Sequence, residues 1–171
     1  ENEFGKKFDY NKYSSLSRLE FFRIRKNYDL WHSVNQNTKV EPFRCKNYLL
    51  TIHDVNFTEE VSSDINHNRN KLFIKKLNKE TAITYISEFS KKQAHKYFTI
   101  PNVPEYIIHN GNPISSLMDT SSYISEVPID KPFFYTIGDF IERKNYGSII
   151  NMMKLIKDYN LIISGNNFKK Y

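Results

Sequence analysis

Tyr48-Leu49-Leu50-Thr51-Ile52-His53-Asp54 is the stretch that decides the fold. Five residues that are mostly apolar end in a polar pair, the pattern of a strand buried in a parallel sheet whose loop begins at His53. The same beat occurs before and after it. Asp29-Leu30-Trp31-His32, Ala82-Ile83-Thr84-Tyr85-Ile86 and Tyr106-Ile107-Ile108 are further short apolar runs that stop in polar loops. Between them the period changes. Leu16, Leu19, Phe22 and Ile24 recur at helical spacing over 14–26, a second helical stretch covers 65–79, and Ser87 is placed to cap a helix over 88–98. Alternating strand and helix predict an α/β fold: a doubly wound, Rossmann-like parallel sheet flanked by helices, with right-handed crossovers and loops gathered at the carboxyl ends of the strands.

Residues 112–131 interrupt this beat, with Pro113, Pro128 and a Ser-rich stretch that has no apolar period. They read as a linker. The beat resumes with Phe133-Phe134-Tyr135-Thr136-Ile137-Gly138, a helix over 145–158 carrying Ile149, Met152, Met153 and Ile156 on one side, and Leu161-Ile162-Ile163. The expected organisation is a first domain over 1–111, a linker over 112–131 and the opening of a second Rossmann-like domain over 132–171. A chain that starts at Glu1 and ends shortly after a turn reads as a piece of something longer.

Composition narrows the function classes. The 171 residues carry a net charge of +6, positive over 1–50, 71–100 and 131–171 and negative over 51–70 and 101–130. Such alternation describes solvated faces, and the basic balance also suits a partner bearing phosphates or anionic headgroups. Lys71-Leu72-Phe73-Ile74-Lys75-Lys76-Leu77 has the spacing of an amphipathic helix with lysines on its outer side. No apolar run reaches the roughly 18 residues of a membrane span, and a lone Cys45 with five scattered histidines offers neither a disulfide nor zinc-ligand spacing. A redox or structural-metal scaffold is not expected. A nucleic-acid-binding module is one alternative, drawn from charge and the many Tyr and Phe, but most of these aromatics occupy core-periodic positions; a catalytically inactive fragment is another.

Several loops carry candidate chemistry. Gly138 to Asn145 stands between a strand and a helix, where glycine permits a tight turn, helix-opening amides favour an anion, and Arg143 and Lys144 supply charge for a diphosphate. An Arg-Lys pair at a helix start is equally an ordinary surface feature. His53-Asp54 offers an imidazole and a carboxylate for general-base work, for a sugar hydroxyl or for a metal, although neighbours on a strand point apart. Ser87-Glu88 presents hydroxyl and carboxylate at a helix start, and His32, Asn35, Asn110 and Gly111 follow other strands onto the same rim. A Gly-x-Ser-x-Gly elbow is missing, which argues against a serine hydrolase.

In order along the chain, Asp29-Leu30-Trp31-His32, Thr51-Ile52-His53-Asp54, Thr84 to Ser90, Ile107-Ile108-His109-Asn110-Gly111, Tyr135-Thr136-Ile137-Gly138 with Arg143-Lys144-Asn145, and Leu161 to Gly165 resemble the retaining family 4 glycosyltransferases of the GT-B fold, which include bacterial mannosyltransferases. The resemblance implies an acceptor-side domain, a junction at Asn110-Gly111 and the start of a donor-binding domain. It implies hexose transfer from a nucleoside diphosphate sugar to a hydroxyl of a glycan or lipid-linked acceptor, with retention and without a metal or other cofactor. Under it Gly138, Arg143 and Lys144 match the segment gripping the donor diphosphate, and His53 with Asp54 the catalytic position near the transferred sugar. His32, Asn35, Ser87, Glu88, Asn110 and Gly111 fall on the cleft rim. It further implies a cytoplasmic enzyme of bacterial surface-polysaccharide synthesis, peripheral to the inner membrane, with no nucleic-acid partner. Asp139 departs from the family's basic residue after the clamp glycine, and the donor-side stretch 132–171 carries no Glu-x7-Glu pair.

Overall fold

The computed structural model describes residue 11 and residues 14–112 and 130–166. Contacts divide the chain into two units, Glu1–Pro113 and Ile114–Tyr171. Most of the expected linker, residues 113–129, lies outside the described residues.

The first unit is an α/β arrangement around a parallel sheet of four strands, β1 (Asn27–Ser33), β2 (Arg44–Ile52), β3 (Ala82–Tyr85) and β4 (Glu105–Ile107), in the order β1-β2-β3-β4. Register pairs Leu50 with Ile83 and Ile52 with Tyr85, so the apolar residues of neighbouring strands share a face. Helices α1 (Phe57–Glu60), α2 (Asn68–Leu77) and α3 (Glu88–Tyr97) accompany the sheet. Phe73 and Leu77 of α2 and Ala94 of α3 join Tyr48, Leu50, Ile52, Ile83 and Tyr85 in one core cluster. Both long helices therefore pack on the same face, as same-handed crossovers between sequential neighbours require. Phe57, Phe73 and Phe98 meet edge-on or tilted, with centroids 4.7 to 6.1 Å apart, where such quadrupole geometry adds to area burial.

The opposite face is polar at its centre. His32 Nε2 is 2.8 Å from Thr51 Oγ1, which is 2.8 Å from Thr84 Oγ1, a chain running across three strands. Leu30 and Tyr106, on the outer strands, stand more than half exposed.

Two expectations are corrected. The helix over 14–26 is instead two 3-10 turns, Ser15–Arg18 and Glu20–Phe22, separated by Leu19 in an extended conformation. Leu16, Leu19, Phe22 and Ile24 are all at least half exposed, so their helical spacing marks no buried face. Periodicity alone does not hold a helix, whose stability in proteins comes mostly from packing an apolar face. The alternation of strand and helix also fails once, because the β1–β2 crossover at residues 34–43 contains no helix.

Side chains hold that crossover in place. Buried Lys76 donates from Nζ to Thr38 O at 2.8 Å, Gln36 O at 3.5 Å and Ser33 Oγ at 3.2 Å, and pairs with Glu41 at 3.3 Å. Glu41 also accepts from Tyr48 Oη, 3.0 Å from each oxygen, and pairs with Lys79. Burial, reinforced by the Glu41 charge, pushes the Tyr48 hydroxyl far above its ordinary value, which keeps it a donor.

In the second unit β5 (Phe133–Ile137) and β6 (Asn160–Ser164) pair in parallel, joined through a 3-10 turn Glu142–Lys144 and helix α4 (Tyr146–Met153). The helix expected over 145–158 ends at Met153, and turns lead from there into β6.

Candidate functional site

The carboxyl end of β2 delivers His53 into a set of bonds from three loops. Its backbone N–H donates to Gln36 Oε1 at 3.0 Å, and its ring Nε2 lies 2.9 Å from Val34 O. A carbonyl only accepts, so Nε2 carries the proton and Nδ1 of the neutral ring keeps a lone pair. The His53 carbonyl accepts from Ser90 Oγ at 2.6 Å. Ser90 in turn belongs to the cap of α3: its N–H donates to Ser87 Oγ at 3.1 Å, and the two hydroxyls are 3.0 Å apart. The β1 loop, the β2 end and the α3 start are thus tied to one another through His53.

The other rim residues are arranged differently. Asp54 Oδ1 accepts from Asn56 N at 3.1 Å, a turn opening α1, so the recorded bonds direct His53 and Asp54 to different partners. Asn35 Oδ1 accepts from Asn37 N at 2.7 Å, shaping the loop after β1. His32 lies within β1 and is bound to Thr51 on the sheet face. Glu88 opens α3 and is exposed, as are Asn110 and Gly111. His109 Nδ1 lies 3.0 Å from Ile86 O, which joins the loop after β4 to the end of β3.

In the second unit Gly138 follows β5 with φ +150°, a conformation side-chain-bearing residues rarely adopt. A Cβ there would lie 3.0 Å from Lys144 Cε and 3.4 Å from Lys144 Nζ, so the lysine stem lies against the glycine backbone. Tyr146 Oη donates to Gly138 O at 2.9 Å, and Gly138 N donates to Ser164 O at 2.9 Å. Gly165 approaches so closely that a Cβ on it would collide with Gly138 O. Asn145 takes the left-handed conformation at φ 49° between the turn carrying Arg143 and Lys144 and the first turn of α4, and its side chain accepts from Ser148 Oγ. The arrangement places an ammonium beside a strand-end glycine and just ahead of helix-opening amides, the elements of a site for an oxyanion.

The chain matches no family model, no curated protein and no solved structure. No group of three or more His, Cys, Asp or Glu suited to a metal occurs among the described residues, and none of the described helices is long and apolar enough to cross a membrane.

Two side chains make contacts with His53 that the sequence reading did not assign. Gln36, in the loop after β1, is 6% exposed and accepts from the His53 backbone N–H. Ser90, in the first turn of α3, donates from its hydroxyl to the His53 carbonyl. Spacing along the chain carries no sign of either contact, since the partners are 17 and 37 residues apart.

Proposed function

We propose that the chain is part of a retaining, nucleotide-sugar-dependent glycosyltransferase of the GT-B type, comprising acceptor-side structure and the opening of the donor-side Rossmann-like unit. The observation that carries this reading is the Gly138 turn: Lys144 against the glycine backbone, Arg143 beside it in the same 3-10 turn and the start of α4 immediately following. Departure of a nucleoside diphosphate builds negative charge on its phosphate oxygens, and a fixed ammonium, a guanidinium and oriented amides stabilise that charge more in the transition state than in the bound donor. Preorganisation supports the same reading on the acceptor side, where His53 is held at its N–H, its carbonyl and its ring. In this scheme the ring Nδ1 receives a sugar hydroxyl, while His32, Asn35, Asp54, Ser87, Glu88, Asn110 and Gly111 are candidates for shaping the rim.

The chemistry proposed is hexosyl transfer to a glycan or lipid-linked hydroxyl in bacterial surface-polysaccharide synthesis, at the cytoplasmic membrane face and without a metal. The test is release of UDP or GDP from a panel of sugar nucleotides by the protein expressed from its encoding gene, with Lys144→Ala alongside. The expected result is turnover with one donor and a loss of about 100-fold in kcat/KM in the variant. Absence of turnover with every donor, or an unimpaired variant, rejects the proposal.

A further inference from the structure

A cavity of about 440 Å³ opens in the first unit between α2, the β1–β2 crossover and the 3-10 turns near the start. Seven Lys or Arg side chains line it against one carboxylate, Glu41, which is already paired with Lys76 and Lys79. So many like charges around one concavity raise a strong positive potential, focused by low-dielectric walls. The walls supply those: Phe57, Leu72 and Phe73 line the same cavity. Arg69 is preset within it, its guanidinium 5.1 Å from the Phe57 ring centroid and one nitrogen donating to Asn37 Oδ1 at 2.6 Å. A planar fork held this way loses little freedom when its remaining donors meet a phosphate. Gln36, 6% exposed, is part of the lining, and its Nε2 has no hydrogen-bond partner. A buried donor without an acceptor is unfavourable, and an anionic oxygen would satisfy it.

We propose that this cavity is a binding site for a phosphate or diphosphate ester with a small apolar or sugar body, adjoining the His53 rim through Gln36 and separate from the Gly138 turn. Its volume is that of a small-molecule site, and its mixture of cationic forks and aromatic wall suits an anionic head on a less polar body. The same chemistry is met by a free organic phosphate and by a lipid phosphate headgroup.

The experiment uses the whole chain carrying Arg143→Ala and Lys144→Ala, so that neither cationic side chain of the Gly138 turn contributes and failure of the transferase reading leaves the result intact. Inorganic pyrophosphate is titrated at low ionic strength, followed by calorimetry and by the Gln36 side-chain amide resonance. Vesicles of phosphatidylcholine containing phosphatidic acid are co-sedimented in parallel. Saturable binding of pyrophosphate that moves the Gln36 resonance supports a free phosphate ligand, and saturable binding to the vesicles alone supports a headgroup. In either case Arg69→Gln and Lys75→Gln lower affinity at least about tenfold, whereas Lys71→Gln, an exposed lysine of α2 outside the cavity, stays within about twofold. Gln36→Glu keeps an acceptor for His53 N–H but removes the buried donor, and it abolishes binding. Lys39→Gln, on the exposed crossover, repeats the test wherever a helix variant unfolds. Failure of both probes to saturate, or equal weakening by Lys71→Gln, overturns the proposal.

Discussion

Glu80 sits at the turn between α2 and β3, 7% exposed, with neither carboxyl oxygen hydrogen-bonded. Burial pushes its carboxyl up to about 9, against the opposing pull of Lys76 and Lys79 and with a smaller upward push from Glu41. The native state therefore keeps a proton that the unfolded chain, with its carboxyl near the ordinary 4.5, releases. Stability is greatest below about pH 4.5 as far as this group is concerned, declines as pH rises through the window from 4.5 to 9, and is fully lost above it. At about 1.4 kcal/mol per pH unit, the 2.5 units between 4.5 and neutrality amount to about 3 kcal/mol at pH 7, a large share of an ordinary domain's 5–15 kcal/mol. Glu80→Gln removes the titration and leaves an amide of the same shape, whose own burial costs about 1–2 kcal/mol at every pH. Trp31, the single tryptophan, belongs to this unit and packs against its core, so its fluorescence reports urea unfolding there. The variant is expected to be less stable than the parent at pH 5 and more stable at pH 8, the two curves crossing between. Parallel curves, with a constant difference from pH 5 to 8, would refute the account of Glu80 as a buried, protonated acid.

Other expectations concern the joints of the two units. Burial tends to raise Glu105, but hydrogen bonds from Tyr85 at 2.7 Å and from His95 at 2.7 Å, with the charges of His95 and Lys91, outweigh it and hold the carboxyl below its ordinary value. The stability this contributes is present above the ordinary carboxylate range and is lost as pH falls through the lowered value; Glu105→Gln flattens that acid limb of a Trp31 denaturation series. Gly165→Ala drives a methyl into Gly138 O and costs about 1–3 kcal/mol, seen as faster hydrogen exchange of the Gly138 amide that bonds Ser164. Ser87→Ala removes the α3 cap at about 1 kcal/mol and loosens Ser90 from its place under His53, measurable as exchange of the Ser90 amide.

The strands were legible because each is a compact apolar run bounded by polar residues, and β2 retains that signature in the buried Tyr48, Leu50 and Ile52. Helix α3 was legible from Ser87, whose hydroxyl performs the capping its position advertises. The 14–26 segment misled because helical periodicity states what a helix would bury, not whether a partner surface is present. The crossover was opaque for a different reason: Lys76 is read in sequence as one more lysine on a polar face, and only the fold brings it to carbonyls 38 and 40 residues away. At the candidate site, the loop ends that bear His53 and Gly138 were readable from strand boundaries and the glycine. The bonds fixing them were not, since Val34 O and Gly138 O are backbone acceptors with no residue-type signature.

A helix carries its own hydrogen bonds wherever it is placed, and the crossover between β1 and β2 does not. Its order is borrowed largely from α2 and the turn after it, through Lys76 on its carbonyls, Lys76 and Lys79 on Glu41, and Arg69 on Asn37. The loop that brings Val34 and Gln36 to His53 is therefore not a separable part. Anyone transplanting this rim onto another scaffold would have to move α2 with it, and an insertion anywhere in 34–41 would shift the carbonyls out of register with Lys76 before it disturbed any strand.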